Sequence, residues 1–279
     1  MLQKNYDIAI VGGGIIGLST AYVLQSNFPF LNILVLEKEP ELAFHQTGRN
    51  SGVIHSGLYY KPGSQRALHC IKGRKKLIAF ASEHNVNFDV CGKLVVATND
   101  EEEKKLHDLK INGMKNSLDN LELLDPLDYN KIEPYIQGQK ALWVPHSGII
   151  DYKEFTNKLS DNIVSYNSKS KIITSCKVLD YKKNIITSKG VYNAKHIIFC
   201  GGLFADRLAN RDGIKLDMQT VGFRGDYYKL ADHAKYKINN LVYPVPNPKF
   251  PFLGVHFTRM INGDIECGPN AVFTFKREG

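Results

Sequence analysis

Nowhere in the chain do about eighteen apolar residues run together, so the sequence predicts no bilayer-spanning helix. Paired cysteines are missing as well. The five present (Cys70, Cys91, Cys176, Cys200 and Cys267) are odd in number, scattered, and never spaced C-x-x-C. That argues against a disulfide framework and a structural zinc site, predicts no metal, and points to a reducing compartment. The apolar run at the N-terminus is interrupted by Asp7 and a glycine triplet, and no small-residue cleavage site follows it. The expectation is therefore a cytoplasmic protein without a secretory signal, at most peripheral at the inner face of a membrane. No basic run is interleaved with aromatic residues in the manner of an RNA-binding sheet, so nucleic acid is not expected as a partner. Internal repeats, low-complexity tracts and linkers are absent too.

What remains is an ordinary soluble composition, 43% hydrophobic and 23% charged, over 279 residues. That length suits one large domain or two ordinary ones with a sizeable core. The net charge of +8 reads either as a lysine-rich solvated exterior or as an attraction for an acidic substrate or anionic surface.

The most regular part comes first. "DIAIV" (7 to 11) is a β-branched apolar run that predicts a buried strand. It feeds Gly12-Gly13-Gly14-Ile15-Ile16-Gly17, a G-x-G-x-x-G, and then "LSTAYVLQ", which predicts a helix. A second apolar run, "NILVLE", ends in Glu37, twenty residues after Gly17. Each part has a mechanical reason. Gly12 permits the tight turn, Gly14 lets the backbone approach a pyrophosphate, and Gly17 allows close packing of helix on strand. The helix N-terminus offers free N–H groups and partial positive charge to the phosphates. Glu37 is placed to accept hydrogen bonds from a ribose diol. A glycine turn of this kind also serves packing alone, but its place between strand and helix, with an acid at this distance, predicts a dinucleotide site.

Behind this unit stands "HQTGRNSGVIHSGLYY" (45 to 60), within a long segment of little regular structure where a nicotinamide enzyme would continue with another strand. Long loops inside compact domains usually carry function. A flat isoalloxazine ring gives a reason for this one, with Gly48, Gly52 and Gly57 allowing close approach and Thr47, Asn50 and Ser51 offering hydrogen bonds. FAD is the expected cofactor. Ser64 then predicts the cap of a helix whose apolar face carries residues 67, 68, 71, 77, 78 and 81.

Together, "GGGIIGLSTAYVL", "LVLEKE" and "HQTGRNSGVIHSGLYYKPGS" resemble the L-2-hydroxyglutarate dehydrogenase/oxidase family, within the D-amino-acid-oxidase-like FAD oxidoreductases. "CGKLVVAT", "PHSGIIDY", "CGGLFADR", "VGFRGDYY", "YPVPNPKFPFLGVHFTR" and "GPNAVFTFKREG" carry the likeness along the whole chain. The glycine fingerprint is common to many flavoproteins, whereas the tyrosine pair and "FPFLGVHFTR" are narrower. The resemblance implies an α/β (α+β mixed) fold, a Rossmann-like FAD-binding domain interleaved with a mainly antiparallel β substrate domain. Expected boundaries are 1–88 and 148–212 for the FAD domain, and 89–147 and 213–279 for the substrate domain. It implies cofactor contacts from Gly12, Gly14, Ile15, Ile16, Gly17, Glu37, Lys38, Thr47, Arg49, Asn50, Ser51, Gly52, Val178 and Gly201. Proteins of this kind continue beyond "AVFTFKREG". The expectation is thus a fragment with an incomplete substrate domain, weakened FAD binding and activity, and a complementing C-terminal segment as partner.

A flavin oxidising a 2-hydroxy acid needs a base for the hydroxyl proton and cations for the carboxylates. Histidine suits the first task because it titrates near neutrality. His55, in the loop, and His256, in an aromatic strand, are the catalytic candidates, each equally readable as a hydrogen-bonded structural histidine. His45 is a further candidate for approach to the flavin, even covalently. Arg224 and Arg259 suit bidentate carboxylate recognition, with a surface ion pair as the alternative. Tyr59, Tyr60 and Tyr243 offer hydroxyl donors and pocket walls, or simple packing. The expected reaction is oxidation of L-2-hydroxyglutarate, a dicarboxylic hydroxy acid, to 2-oxoglutarate. The alternatives are a related flavoenzyme acting on an amino acid or glycerol 3-phosphate, and a catalytically impaired remnant. Oxygen, a quinone or a carrier protein are all open as electron acceptors.

Overall fold

The structure is a computed structural model that describes residues 4–247 and 254–278. Along the chain, β1 (Lys4–Val11), α1 (Ile15–Asn27) and β2 (Ile33–Leu36) are followed by β3 (Val53–Ile54), α2 (Gln65–Glu83), β4 (Phe88–Asp89) and β5 (Lys93–Ala97). Next come α3 (Asp100–Lys115), β6 (Glu122–Leu124), α4 (Pro126–Tyr129), β7 (Lys140–Val144) and β8 (Gly148–Ile150). Helix α5 (Tyr152–Tyr166) leads to β9 (Lys171–Ile173), β10 (Val178–Asp180), β11 (Ile185–Thr187), β12 (Gly190–Phe199) and α6 (Ala205–Arg211). The remaining strands are β13 (Gly222–Arg224), β14 (Tyr228–Lys229), β15 (Leu241–Pro244), β16 (His256–Arg259), β17 (Ile265–Gly268) and β18 (Val272–Thr274). Part of the "YPVPNPKFPFLGVHFTR" block, 248 to 253, lies outside the described residues.

The chain packs as two units. The first contains the described residues of Met1–Asn50, Tyr152–Gly222 and Thr274–Gly279. Its six-stranded sheet has the order β10-β11-β12-β1-β2-β9. β1 runs parallel to both neighbours, Val11 standing opposite Leu36 on one side and Phe199 on the other. Such pairing needs a crossover, and helix α1 supplies it between β1 and β2. "ILVL" in β2 is buried at every position, as a parallel strand covered on both faces requires. Each such leucine or isoleucine contributes about 1.5–3 kcal/mol by burial. The buried amide of Gln25 is satisfied by Pro29 and Leu31 carbonyls (3.2 and 3.1 Å) and by the Ser170 hydroxyl, which donates to it at 2.7 Å. Arg277 ties down the last segment of the unit. It pairs with the Asp206 carboxylate and donates to the carbonyls of Leu203 (2.6 Å) and Thr220 (3.0 Å), holding the Asp206 carboxyl far below the usual range.

The second unit contains the described residues of Ser51–Asp151 and Phe223–Phe273. Its seven-stranded sheet, β14-β17-β16-β15-β5-β7-β6, is antiparallel except where β5 meets β15. A small sheet, β3-β8-β4, lies in the same unit. Leu58, Val95, Leu106, Leu118, Leu121 and Leu142 form one of its cores. Helix α3 starts where its sequence says it should: the Asn99 side chain accepts from Glu102 N (3.0 Å), while the Glu102 carboxylate accepts from Thr98 N (2.8 Å). Among the described residues no helix is long and apolar enough to cross a membrane.

The unit boundaries differ from expectation. Residues 51–88, expected with the first domain, pack in the second unit. Leu58 enters its core, and Asn116 on the turn after α3 donates to the carbonyls of Gly57 (3.0 Å) and Tyr60 (2.8 Å). Likewise β8 belongs to the second unit, and the chain returns to the first only at Tyr152. Residues 213–222, expected in the substrate domain, belong to the first unit with Thr274–Gly279. Ser64 caps α2 through Ala67 N at 3.2 Å as expected, but Leu68 is exposed and the buried positions are Ala67, Phe80 and Ala81.

Glu133 offers a test of the second unit. Fully buried, it accepts hydrogen bonds from Asn239 N (3.0 Å) and from the backbone N and side-chain amide of Asn240 (2.5 and 3.0 Å). Burial nevertheless pushes its carboxyl above the usual range. Glu133→Ala strands those donors and should cost about 2–4 kcal/mol in urea unfolding. Glu133→Gln keeps one acceptor without the buried charge and should cost less than half as much.

Candidate functional site

At the carboxyl ends of β1, β2 and β12 the first unit opens a cavity of about 290 Å³. This is where an open α/β sheet places its ligand. The backbone builds its rim: Gly12 N donates to Leu36 O (2.9 Å), Cys200 N to Val11 O (2.8 Å) and Glu37 N to Ile173 O (2.9 Å). Gly12 has φ of +121°, and a Cβ there would stand 2.3 Å from the Cys200 carbonyl oxygen, so the turn requires glycine. At Gly14, the N-cap of α1, a Cβ would meet only the Thr47 hydroxyl at 3.2 Å; the face toward the cavity is otherwise open.

Gly12, Gly14, Glu37, Lys38, Thr47, Val178 and Gly201, all expected at the cofactor, line this cavity. Ile15 contributes through its N–H, which donates to Thr47 Oγ1 at 3.0 Å. Ile16 is exposed and Gly17 is buried beneath the turn. The Glu37 carboxylate has a task the sequence did not show. It accepts from Gly13 N (2.6 Å) and Glu39 N (2.9 Å), which pins the glycine turn to the end of β2. Arg49 stacks on Phe44 at 4.6 Å and Asn50 donates to the Gln46 and Thr47 carbonyls (2.9 and 2.7 Å), so both shape the loop without lining the cavity. Ser51 and Gly52 belong to the second unit, where the Gly52 carbonyl accepts from Ile150 N at 2.9 Å. His45 lines the cavity and meets Glu39 at 2.8 Å. Glu39, His45 and Glu278 converge as metal ligands would, but the Lys38 ammonium already sits on both carboxylates.

The second unit gathers a separate cluster around β5, β15 and β16. The His256 ring lies flat on Tyr243, with centroids 3.9 Å apart and planes 14° from parallel. His256 Nδ1 donates to the Gly254 carbonyl at 2.8 Å, which leaves Nε2 as the basic nitrogen. Burial, with a smaller push from Lys93, lowers the His256 pKa. His55 is exposed. Loss of hydration, then the charges of Lys93 and His256, push it down to about 4. Both expected bases are therefore neutral at pH 7.

Lys93 was not singled out by sequence, although it is the one charge in an otherwise apolar strand, "KLVVA". It is 1% exposed, and its ammonium stands over the rings of Tyr59 (4.3 Å) and Tyr243 (4.9 Å). Burial pushes its pKa down to about 7. Tyr59 Oη is buried with no hydrogen-bond partner among the described residues. Tyr60 stands outside this group, its ring under the Arg66 guanidinium at 5.6 Å. The arginines expected to hold carboxylates already have partners: Arg224 is exposed and bound to Asp226 at 2.8 Å, and Arg259 is bound to Asp89.

The family model described as "FAD dependent oxidoreductase" matches residues 7–278. The chain is 43% identical to the L-2-hydroxyglutarate dehydrogenase of Indibacter alkaliphilus, over 99% of this chain and 70% of that protein. It is 41% identical to the mitochondrial L-2-hydroxyglutarate dehydrogenase of Homo sapiens, over 99% of this chain and 63% of that protein. Among solved structures it superposes on the FAD-bound L-α-glycerophosphate oxidase of Mycoplasma pneumoniae with a TM-score of 0.85 at 27% identity, covering 99% of this chain and 74% of the other. Glycine oxidase from Geobacillus kaustophilus shares the fold, with a TM-score of 0.83 at 18% identity over 99% of this chain and 74% of that one. The glycine turn, the cleft at the strand ends and these matches agree: the chain belongs to the FAD-dependent oxidoreductases and, within them, to the L-2-hydroxyglutarate dehydrogenases, with FAD as its cofactor.

Proposed function

We propose that this chain oxidises L-2-hydroxyglutarate to 2-oxoglutarate, with His55 taking the hydroxyl proton. The observation that carries the reading is the chain's 43% identity, over 99% of its length, to an L-2-hydroxyglutarate dehydrogenase, joined to an exposed histidine, His55, that feels the charges of Lys93 and His256. A neutral imidazole is the form that can accept a proton, and positioned bases of this kind contribute about 10²–10⁴-fold. His256, its tautomer set by Gly254, is the second neutral base of the cluster.

The first unit fits FAD by its own geometry. The open face of Gly14 and the N-terminus of α1 suit the pyrophosphate, and Glu37, Lys38 and Val178 line the same cavity for the ribose and adenine. Bound FAD supplies the two-electron oxidant for the substrate C2–H bond. The protein holds the turn open, excludes a side chain from the phosphate path, and provides the base. Glycerol 3-phosphate is the second reading, favoured by the 0.85 TM-score to the glycerophosphate oxidase.

Two outcomes follow. Gly14→Leu places a branched side chain in the cavity rim and should leave the fold intact while weakening FAD at least about 100-fold by fluorescence titration, on the order of 3 kcal/mol; stoichiometric flavin in the purified variant would contradict the assignment. For the chemistry, anaerobic flavin reduction by L-2-hydroxyglutarate should outpace reduction by its D-enantiomer, lactate or glycerol 3-phosphate. His55→Gln should slow it by about 10²-fold or more with flavin content unchanged. The acid limb of kcat/KM, which reports the substrate-free enzyme, should lie nearer the His55 value of about 4 than the ordinary histidine value, since the base is lost only when pH falls through its own pKa. An acid limb at the ordinary value would remove His55 from the role.

A further inference from the structure

We infer that the Lys93 ammonium, with the Tyr59 hydroxyl beside it, is the seat for a carboxylate of the substrate, in place of Arg224 and Arg259. The inference rests on the reading of the substrate as a dicarboxylic hydroxy acid. Lysine at the start of a strand ordinarily runs its stem along the surface and keeps the ammonium in water. Lys93 does not: it is 1% exposed, at the head of β5, an interior strand of the seven-stranded sheet. Among the described residues no carboxylate pairs with it and no group accepts a hydrogen bond from it. The faces of Tyr59 and Tyr243 are its companions, and ring faces do not replace the water an ammonium loses.

A second unmet group shares the location. Tyr59 packs against Lys93, and its hydroxyl, buried and without a partner among the described residues, is a free donor. A nearly buried cation and a buried hydroxyl donor, neither with an acceptor among the described residues, call for one kind of ligand group: an anion with more than one acceptor oxygen. The other titratable groups that act on Lys93, or on which it acts, supply no negative charge at neutral pH. His55 and His256 are held neutral, and burial pushes the thiol of Cys70 and the hydroxyls of Tyr59 and Tyr243 upward. Burial pushes Lys93 down to about 7, the behaviour of an ammonium that lacks a counter-charge. Arg224 is exposed and paired with Asp226, and Arg259 is paired with Asp89 through one nitrogen while its Nε is buried without a partner among the described residues.

The test uses the flavinated chain and glutarate, a dicarboxylate that cannot be oxidised at C2, followed by the perturbation of flavin absorbance and by calorimetry. Wild type should bind glutarate, and Lys93→Met should bind it about 10- to 100-fold more weakly at unchanged flavin content. Tyr59→Phe should lose a smaller factor. Because methionine replaces a buried, uncompensated charge, Lys93→Met should melt no lower than wild type. Glutarate affinity within about threefold of wild type in Lys93→Met would overturn the inference. So would a variant that melts well below wild type or fails to fold, since the ammonium would then be holding the fold. Absence of glutarate binding to wild type, or Lys93-dependent binding of inorganic phosphate alone, would overturn it as well. If glutarate binds through Lys93 but L-2-hydroxyglutarate does not reduce the flavin, the seat stands and the proposed reaction falls.

Discussion

A methyl group on Gly17 would lie 2.0 Å from the carbonyl oxygen of Gly12, and one on Gly12 would lie 2.3 Å from that of Cys200. The first unit depends on these approaches of backbone to backbone. They let α1 start directly above the end of β1, between the ends of β2 and β12, so that Gly12 and the N-cap Gly14 line the cavity. Glu37 then fastens the turn from below through Gly13 N, so the carboxylate at the end of β2 helps to shape the site it lines. On the proposed reading, cofactor recognition in this unit begins with the main chain. It tolerates little change at its glycines and asks little of side-chain charge.

That is also why this part was legible in the sequence. The turn, the helix after it and the acid at the end of β2 are local, and each has a geometric requirement that only a few residue types meet. The cap at Ser64 was readable for the same reason. What could not be read was pairing over long separations. Arg259 read either as a carboxylate ligand or as half of a surface ion pair, because Asp89 is 170 positions away in sequence, and Lys93 drew no reading because its ring partners are Tyr59 and Tyr243. The placement of residues 51–88 failed similarly. Continuity with the glycine turn suggested the first unit, whereas Leu58 and the asparagines around the end of α3 hold that segment in the second.

The second unit works by the opposite means, through side chains whose charges act on each other. Lys93 lowers the proton affinity of both His55 and His256, because an ammonium nearby disfavours a second positive charge. Burial is the larger cause of their neutrality, and the ammonium adds to it. With a carboxylate seated on Lys93, that repulsion is compensated and the histidines become stronger bases when substrate is present. Proton transfer from an alcohol to an imidazole is uphill, and a base strengthened by the arriving substrate reduces the climb. On the proposed reading the same ammonium both recognises the acid and readies the base. This accounts for a cation kept at the head of a buried strand, where an apolar residue would pack at lower cost.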